Sequence, residues 1–164
     1  MFEPEIEMET LLVSALIALR LFVVAFIALH DWVPLGRLNN LAAVQAADRP
    51  GKLFIVTLLS TLPFAVGFAA SVFYAGTGFP EWLMWWLWIS YGAAVYGMLH
   101  AWWVPYLLMA SPARAARYQA RFAGTHAFLP IRHGIRPDTL HCTLHFAIFT
   151  ILILLGVLTV SAHG

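Results

Sequence analysis

Four apolar runs divide the chain, at about residues 10–29, 53–74, 82–104 and 140–160. Each reaches the roughly 18 residues at which a helix spans the hydrocarbon core, and each is far too long for one barrel strand. In lipid every backbone N–H and C=O must be satisfied within its own segment, so the runs predict helices. The expected fold is all-α: a polytopic membrane protein whose residues 1–164 form one bundle of four transmembrane helices. Polar punctuation adds two short helices. Asn40 opens one that runs to about Ala47 and stops before Pro50, since a residue preceding proline disfavours the helical region. Ser111 can cap a second, with Pro112 at its first position. In "ARAARYQARFAG" the arginines Arg114, Arg117 and Arg121 share one face, and Tyr118 and Phe122 share another. That pattern predicts a short amphipathic helix on the inner leaflet, its arginines on lipid phosphates or on a docked protein.

Composition agrees. The chain is 62% hydrophobic and 10% charged, with mean hydropathy +0.81, against roughly 45–50% and about 25% in a soluble domain. The formal net charge of +1 gives no basis for bulk nucleic-acid binding. One cysteine, Cys142, excludes an intramolecular disulfide and a cysteine metal cluster. The flank "MFEPEIEMET" has glutamates and no basic residue, so the first run reads as a span and not as a signal peptide.

Charge also orients the chain. Arg37, Arg49 and Lys52 follow the first run, and Arg114, Arg117, Arg121, Arg132 and Arg136 follow the third. The positive-inside rule makes these two loops cytoplasmic and both termini external. At that face the chain repeats itself. "HDWVP" (residues 30–34) and "HAWWVP" (residues 100–105) sit at the two exits, and "RPGKL" and "RPDTL" lead into the second and fourth runs. Pro34 and Pro105 should end or bend their helices. Two parallel helix–loop–helix units would explain the echo; so would the general preference of Trp, Pro and Arg for an interface. Gly67 and Ser71, and Ala93 and Gly97, have the four-residue spacing that lets helix backbones approach closely.

Two sets of residues could carry chemistry. Arg20 lies mid-span, where a charge costs from about 3 kcal/mol upward. Counting equal distances from the cytoplasmic boundary places Ser60, Thr61, Ser90, Tyr91 and Thr150 at its level. Such a layer would leave the charge unpaired, so an anionic or carbonyl-bearing ligand (a quinone, a lipid headgroup or a haem propionate) would complete it, reaching towards His100. Hydroxyls, carbonyls and water alone are the plainer alternative. The second set is His30, His100, His141 and His145 near the cytoplasmic boundary. His141 and His145 share a helix face. Histidines on different helices of a bundle can ligate haem or a metal, with His30 and His100 as axial ligands and His126 and His133 as further donors. Ordinary hydrogen bonding is the simpler use, since Asp31 and Asp138 are the only nearby carboxylates. Cys142 adjoins His141, and Asp31 adjoins His30, but successive helix positions do not face each other. No nucleophile triad, phosphate loop or dinucleotide fingerprint is present.

The stretches "HDWVPLGRLNN" and "WWVPYLLMASPARAARYQARFAGTHAFLPIRHGIRPDTLHCTLH" resemble motifs of a group of small bacterial four-helix integral membrane proteins with no assigned activity. The resemblance implies that the two basic loops form a folded cap, and it supplies no catalytic residue. The expected function is therefore a bundle that binds an amphipathic ligand (lipid, quinone or haem), without assigned catalysis. An accessory subunit of a larger membrane complex, or a homo-oligomer, is one alternative, given seven tryptophans. Another is an enzyme acting on a lipid or isoprenoid through His30, Asp31, His100, His141 or His145.

Overall fold

The computed structural model describes residues 3–161, with side chains from Glu7 onward. The expected placement of the extreme ends of both tails lies outside the described residues. Among the described residues there is no strand, only an isolated bridge between Arg132 and Ile135. Helix α1 is Glu3–Leu29. A 3-10 turn, Gly36–Leu38, leads to α2, Leu41–Ala47, which Asn40 caps by accepting the Ala43 N–H at 3.0 Å. Helix α3 is Pro50–Tyr74 and starts on proline, whose missing N–H costs nothing there. Helix α4, Glu81–Met98, runs into a π-helical turn, Leu99–Trp103, and a last short turn α5, Val104–Leu107. Helix α6, Pro112–Arg121, is capped by Ser111. Helix α7, Thr139–Ser161, starts on Asp138, which accepts the His141 N–H at 2.8 Å.

Among the described residues three helical segments are long and apolar enough to cross a membrane: Glu7–Leu29, Pro50–Tyr74 and Thr139–Ser161. The third apolar run does not qualify on these terms, because Glu81 and a high content of Trp, Tyr and Gly dilute α4. The long helices close into a ring in which α1 packs on α3 and α7, and α4 packs on the same two. Their shared core is Leu16 and Val23 of α1, Leu83, Leu87 and Tyr91 of α4, and Ala147, Ile148, Ile151 and Leu155 of α7. Apolar residues also cover the outside: Phe73, Phe146 and Val160 are each more than 70% exposed. A surface this apolar is a liability in water and points to a membrane environment.

The two echoed motifs do not share a backbone. "HDWVP" leaves α1 as a turn, and Pro34 stands in irregular chain. "HAWWVP" stays helical through Pro105, contrary to the expected exit. Proline has no N–H to return to the preceding turn. The helix widens there instead, with the Val104 N–H bonding to Leu99 O. Carbonyls left over in this stretch are taken up by α6: Tyr118 Oη donates to Ala101 O at 2.5 Å and Arg114 Nη1 to His100 O at 3.5 Å. Pro105 thus creates the acceptors on which α6 docks.

Candidate functional site

Arg20 is wholly buried in the middle of the ring. Its Nη1 donates to Ser71 Oγ on α3. Its guanidinium carbon is 6.0 Å from the Tyr91 ring centroid on α4. Gly67, one turn before Ser71, makes the room: a Cβ there would stand 2.8 Å from Arg20 Nη2. The small-residue spacing at Gly67 and Ser71 therefore seats an arginine rather than only a neighbouring backbone. Nε and Nη2 of Arg20 and the Tyr91 hydroxyl close no hydrogen bond, although the phenol lies against the guanidinium. Among the described residues no carboxylate pairs with Arg20.

Of the polar layer expected around Arg20, Tyr91 comes to it, whereas Ser60, Thr61 and Thr150 do not. Ser60 is exposed, and Thr61 and Thr150 donate to carbonyls of their own helices, Thr57 O at 2.7 Å and Phe146 O at 2.9 Å. The register explains the miss. Trp32 Nε1 bonds Thr57 Oγ1 at 3.1 Å, so α3 begins about two turns below the end of α1. Counting back from Trp32 to Arg20, and equally far forward from Thr57 on the antiparallel α3, arrives between Gly67 and Ser71.

A cavity of about 1190 Å³ opens at the end of the bundle away from the basic loops. The starts of α1 and α4, the α3–α4 turn and the end of α7 enclose it. Its deepest lining residues on α1 and α4 are Ile17 and Trp88. Arg20 and Tyr91 follow each of these by one turn, a rise of about 4.5 Å. The arginine layer is thus one helical turn below the cavity, and Arg20 and Tyr91 are not among its lining residues. Sequence reading missed this space; the signal for it was a glutamate on each of two helices, Glu9 in the second turn of α1 and Glu81 at the start of α4.

At the opposite end the two basic loops form one cap. The Arg121 guanidinium bridges Asp48 at 2.9 Å and Asp31 at 3.3 Å, so it is held by protein rather than left for lipid phosphate. Lys52 and Arg121 donate to Asp48 and hold its carboxyl below the usual aspartate range. Arg117 is exposed. Beneath the cap His30 and His141 meet edge to face at 5.8 Å between centroids. His141 Nδ1 donates to the buried Asp138 at 2.9 Å, and His30 Nδ1 to Phe26 O at 2.9 Å. His145 lies a turn further in, 6.4 Å from His141. His100 is not part of this group: it is exposed and stacks on Tyr96. The structure therefore does not join His30 and His100 as an axial pair. His126 bonds Thr139 Oγ1 at 2.7 Å, and His133 (φ 51°) with Gly134 (φ 75°) makes a tight turn. Among the described residues no three His, Cys, Asp or Glu side chains are placed to hold a metal. The space between His30, Asp31, Arg121 and His141 is about 10 Å³, close to the least that admits one water.

Burial pushes the His30 pKa down, against the opposing pull of Asp31, while the nearby His141 lowers it further. A histidine that resists protonation in the closed cap takes up a proton first when the cap opens. The closed state is therefore fully favoured above the ordinary histidine value of about 6.5 and weakens as pH falls below it. Hydrogen exchange across residues 112–137 should accelerate between about pH 7.5 and about pH 5.5, after correction for the intrinsic rate. His30→Phe, which keeps a ring against Phe26, should remove that dependence; an unchanged dependence would assign it to another group.

No protein-family model matches the chain, and no curated protein or solved structure shows significant similarity to it, so a functional reading rests on these side chains.

Proposed function

We propose that the chain is a multi-pass protein of a bacterial inner membrane. It crosses four times, with α4 as the fourth span, the two basic loops in the cytoplasm and both termini outside. The exposed Arg117 of α6, with the half-buried Arg114 beside it, faces the phosphates of the inner leaflet. The bundle binds an amphipathic molecule whose acceptor group, a carbonyl, ester or acidic oxygen, meets Arg20 from the cavity above it. One observation carries this reading: among the described residues the buried Arg20 has a well-formed hydrogen bond only to Ser71, with the Tyr91 phenol against the guanidinium, and its Nε and Nη2 close none. Buried polar groups left unpaired cost about 1–3 kcal/mol each, and more when charged. A bound acceptor removes that cost. The cavity supplies a route and the apolar walls such a molecule needs. The reading assigns no catalysis. The nearly closed cap around His30 and His141 offers no room for a lipid or isoprenoid substrate.

The test is the small-molecule content of the purified protein. Lipids and quinones extracted from wild type should include a species retained in about stoichiometric amount, and Arg20→Leu should lose it. An identical profile in the two proteins would overturn the proposal.

A further inference from the structure

The wall chemistry of the cavity narrows what it accepts. We propose that it receives the headgroup of an ammonium-bearing amphiphile. This rests on the reading that the cavity above Arg20 is a ligand site, and it names the class of ligand. Glu9 and Glu81 both line the cavity, together with Trp85 and Trp88, and among the described residues no lysine or arginine lines it. Trp85 Nε1 donates to Glu81 Oε1 at 3.4 Å, which steadies that carboxylate at the wall. Two carboxylates facing one space make it electronegative and disfavour a purely anionic head. The same field, with indole faces beside it, attracts an ammonium group. Below this rim the wall combines the apolar Val13, Ile17 and Met84 with the hydroxyl-bearing Ser14.

Depth sets the rest of the molecule. Glu9 precedes Arg20 by eleven residues and Glu81 precedes Tyr91 by ten, which on helices is a drop of about 15 Å. Side chains reaching inward from both levels shorten the gap. A molecule with its ammonium at the rim and an oxygen acceptor further down satisfies both ends at once: the glutamates meet the positive charge and the Arg20 and Tyr91 donors meet the oxygen. An aminophospholipid has this order, from ammonium through phosphate to ester carbonyl. A free lipophilic amine shares the ammonium chemistry and lacks the deep acceptor.

The full chain is purified in mild detergent and examined by native mass spectrometry with added phosphatidylethanolamine, phosphatidylglycerol or dodecyltrimethylammonium. Phosphatidylethanolamine should be retained over phosphatidylglycerol by about tenfold, and the Glu9→Gln/Glu81→Gln protein should lose that preference. Trp88→Phe should weaken retention less, and melting in detergent checks that each variant is folded. If dodecyltrimethylammonium binds with the same dependence on the glutamates and phosphatidylethanolamine does not, the ammonium assignment holds and the source is a free amine. Equal retention of both phospholipids, unchanged in the glutamine variant, overturns the headgroup assignment. The Arg20 reading survives that result if Arg20→Leu lowers retention of both. Absence of any retained amphiphile overturns the two together.

Discussion

Ser71→Ala should destabilise the ligand-free bundle by on the order of 3 kcal/mol, far more than one surface hydroxyl, because it strips a buried guanidinium of its remaining protein hydrogen bond. Removing one partner of a buried charge is costly since the other partner stays charged and unsolvated. Removing the charge itself has a different sign of argument. Arg20→Leu exchanges an under-satisfied cation for an apolar side chain among Leu16, Val23 and Leu87, and such exchanges are often neutral or stabilising. A leucine does leave part of the space over Gly67 empty, which offsets some of the gain. The expected order of melting in detergent is therefore Ser71→Ala lowest, with Arg20→Leu near or above wild type. The double variant should resemble Arg20→Leu alone, because without the charge Ser71 has little left to do. Adding the retained amphiphile should raise Ser71→Ala towards wild type and leave Arg20→Leu unmoved. A neutral Ser71→Ala would mean that water already satisfies Arg20, and the physical motive for a ligand would be gone.

Arg20 shows how far the sequence alone reaches. A lone charge in an apolar run must be buried or functional, so its importance was legible. Its partners were not. Which residue of α3 faces it depends on how far α3 extends past the end of α1. That offset is fixed by the geometry of the first loop and by the Trp32–Thr57 contact, neither of which leaves a periodic signal. Caps and prolines were the opposite case. Asn40, Pro50, Ser111 and Pro112 act on their own next few residues, and the helices begin where those residues put them. The histidines fell between. His30 and His141 meet because α1 and α7 pack side by side. His100, equally near the boundary by residue count, turns out of the bundle at the π-helical turn that Pro105 accompanies. The cavity was hidden because its lining comes from four chain segments, none unusual by itself.

Trp102→Ala should release the cap while leaving the bundle assembled. Trp102 is 6% exposed, and its ring is the hub of the second core. It lies 4.9 Å from Tyr118, 4.8 Å from Phe122 and 4.6 Å from His141, centroid to centroid. Truncating a buried tryptophan removes about 3–5 kcal/mol. Most of the cluster belongs to the π-helical turn, α5, α6 and the chain from Leu129 to Ile135, and the long helices share the loss chiefly through His141 and His145 at the start of α7. The polar ties that remain, Tyr118 to Ala101 O and Arg121 to Asp31 and Asp48, depend on α6 staying in place. A local opening of this size should raise tryptic cleavage after Arg114, Arg117 and Arg121 by about a hundredfold, with the melting of the spans changed far less. Trp102→Phe keeps a ring in the cluster and should lie much closer to wild type. The opposite pattern, intact α6 with lower melting throughout, would show that cap and bundle unfold as one unit. In that case a signal at the cap histidines could reach the Arg20 layer only through global stability. With a separable cap, protonation at His30 and occupancy at Arg20 are independent events at the two ends of one set of helices.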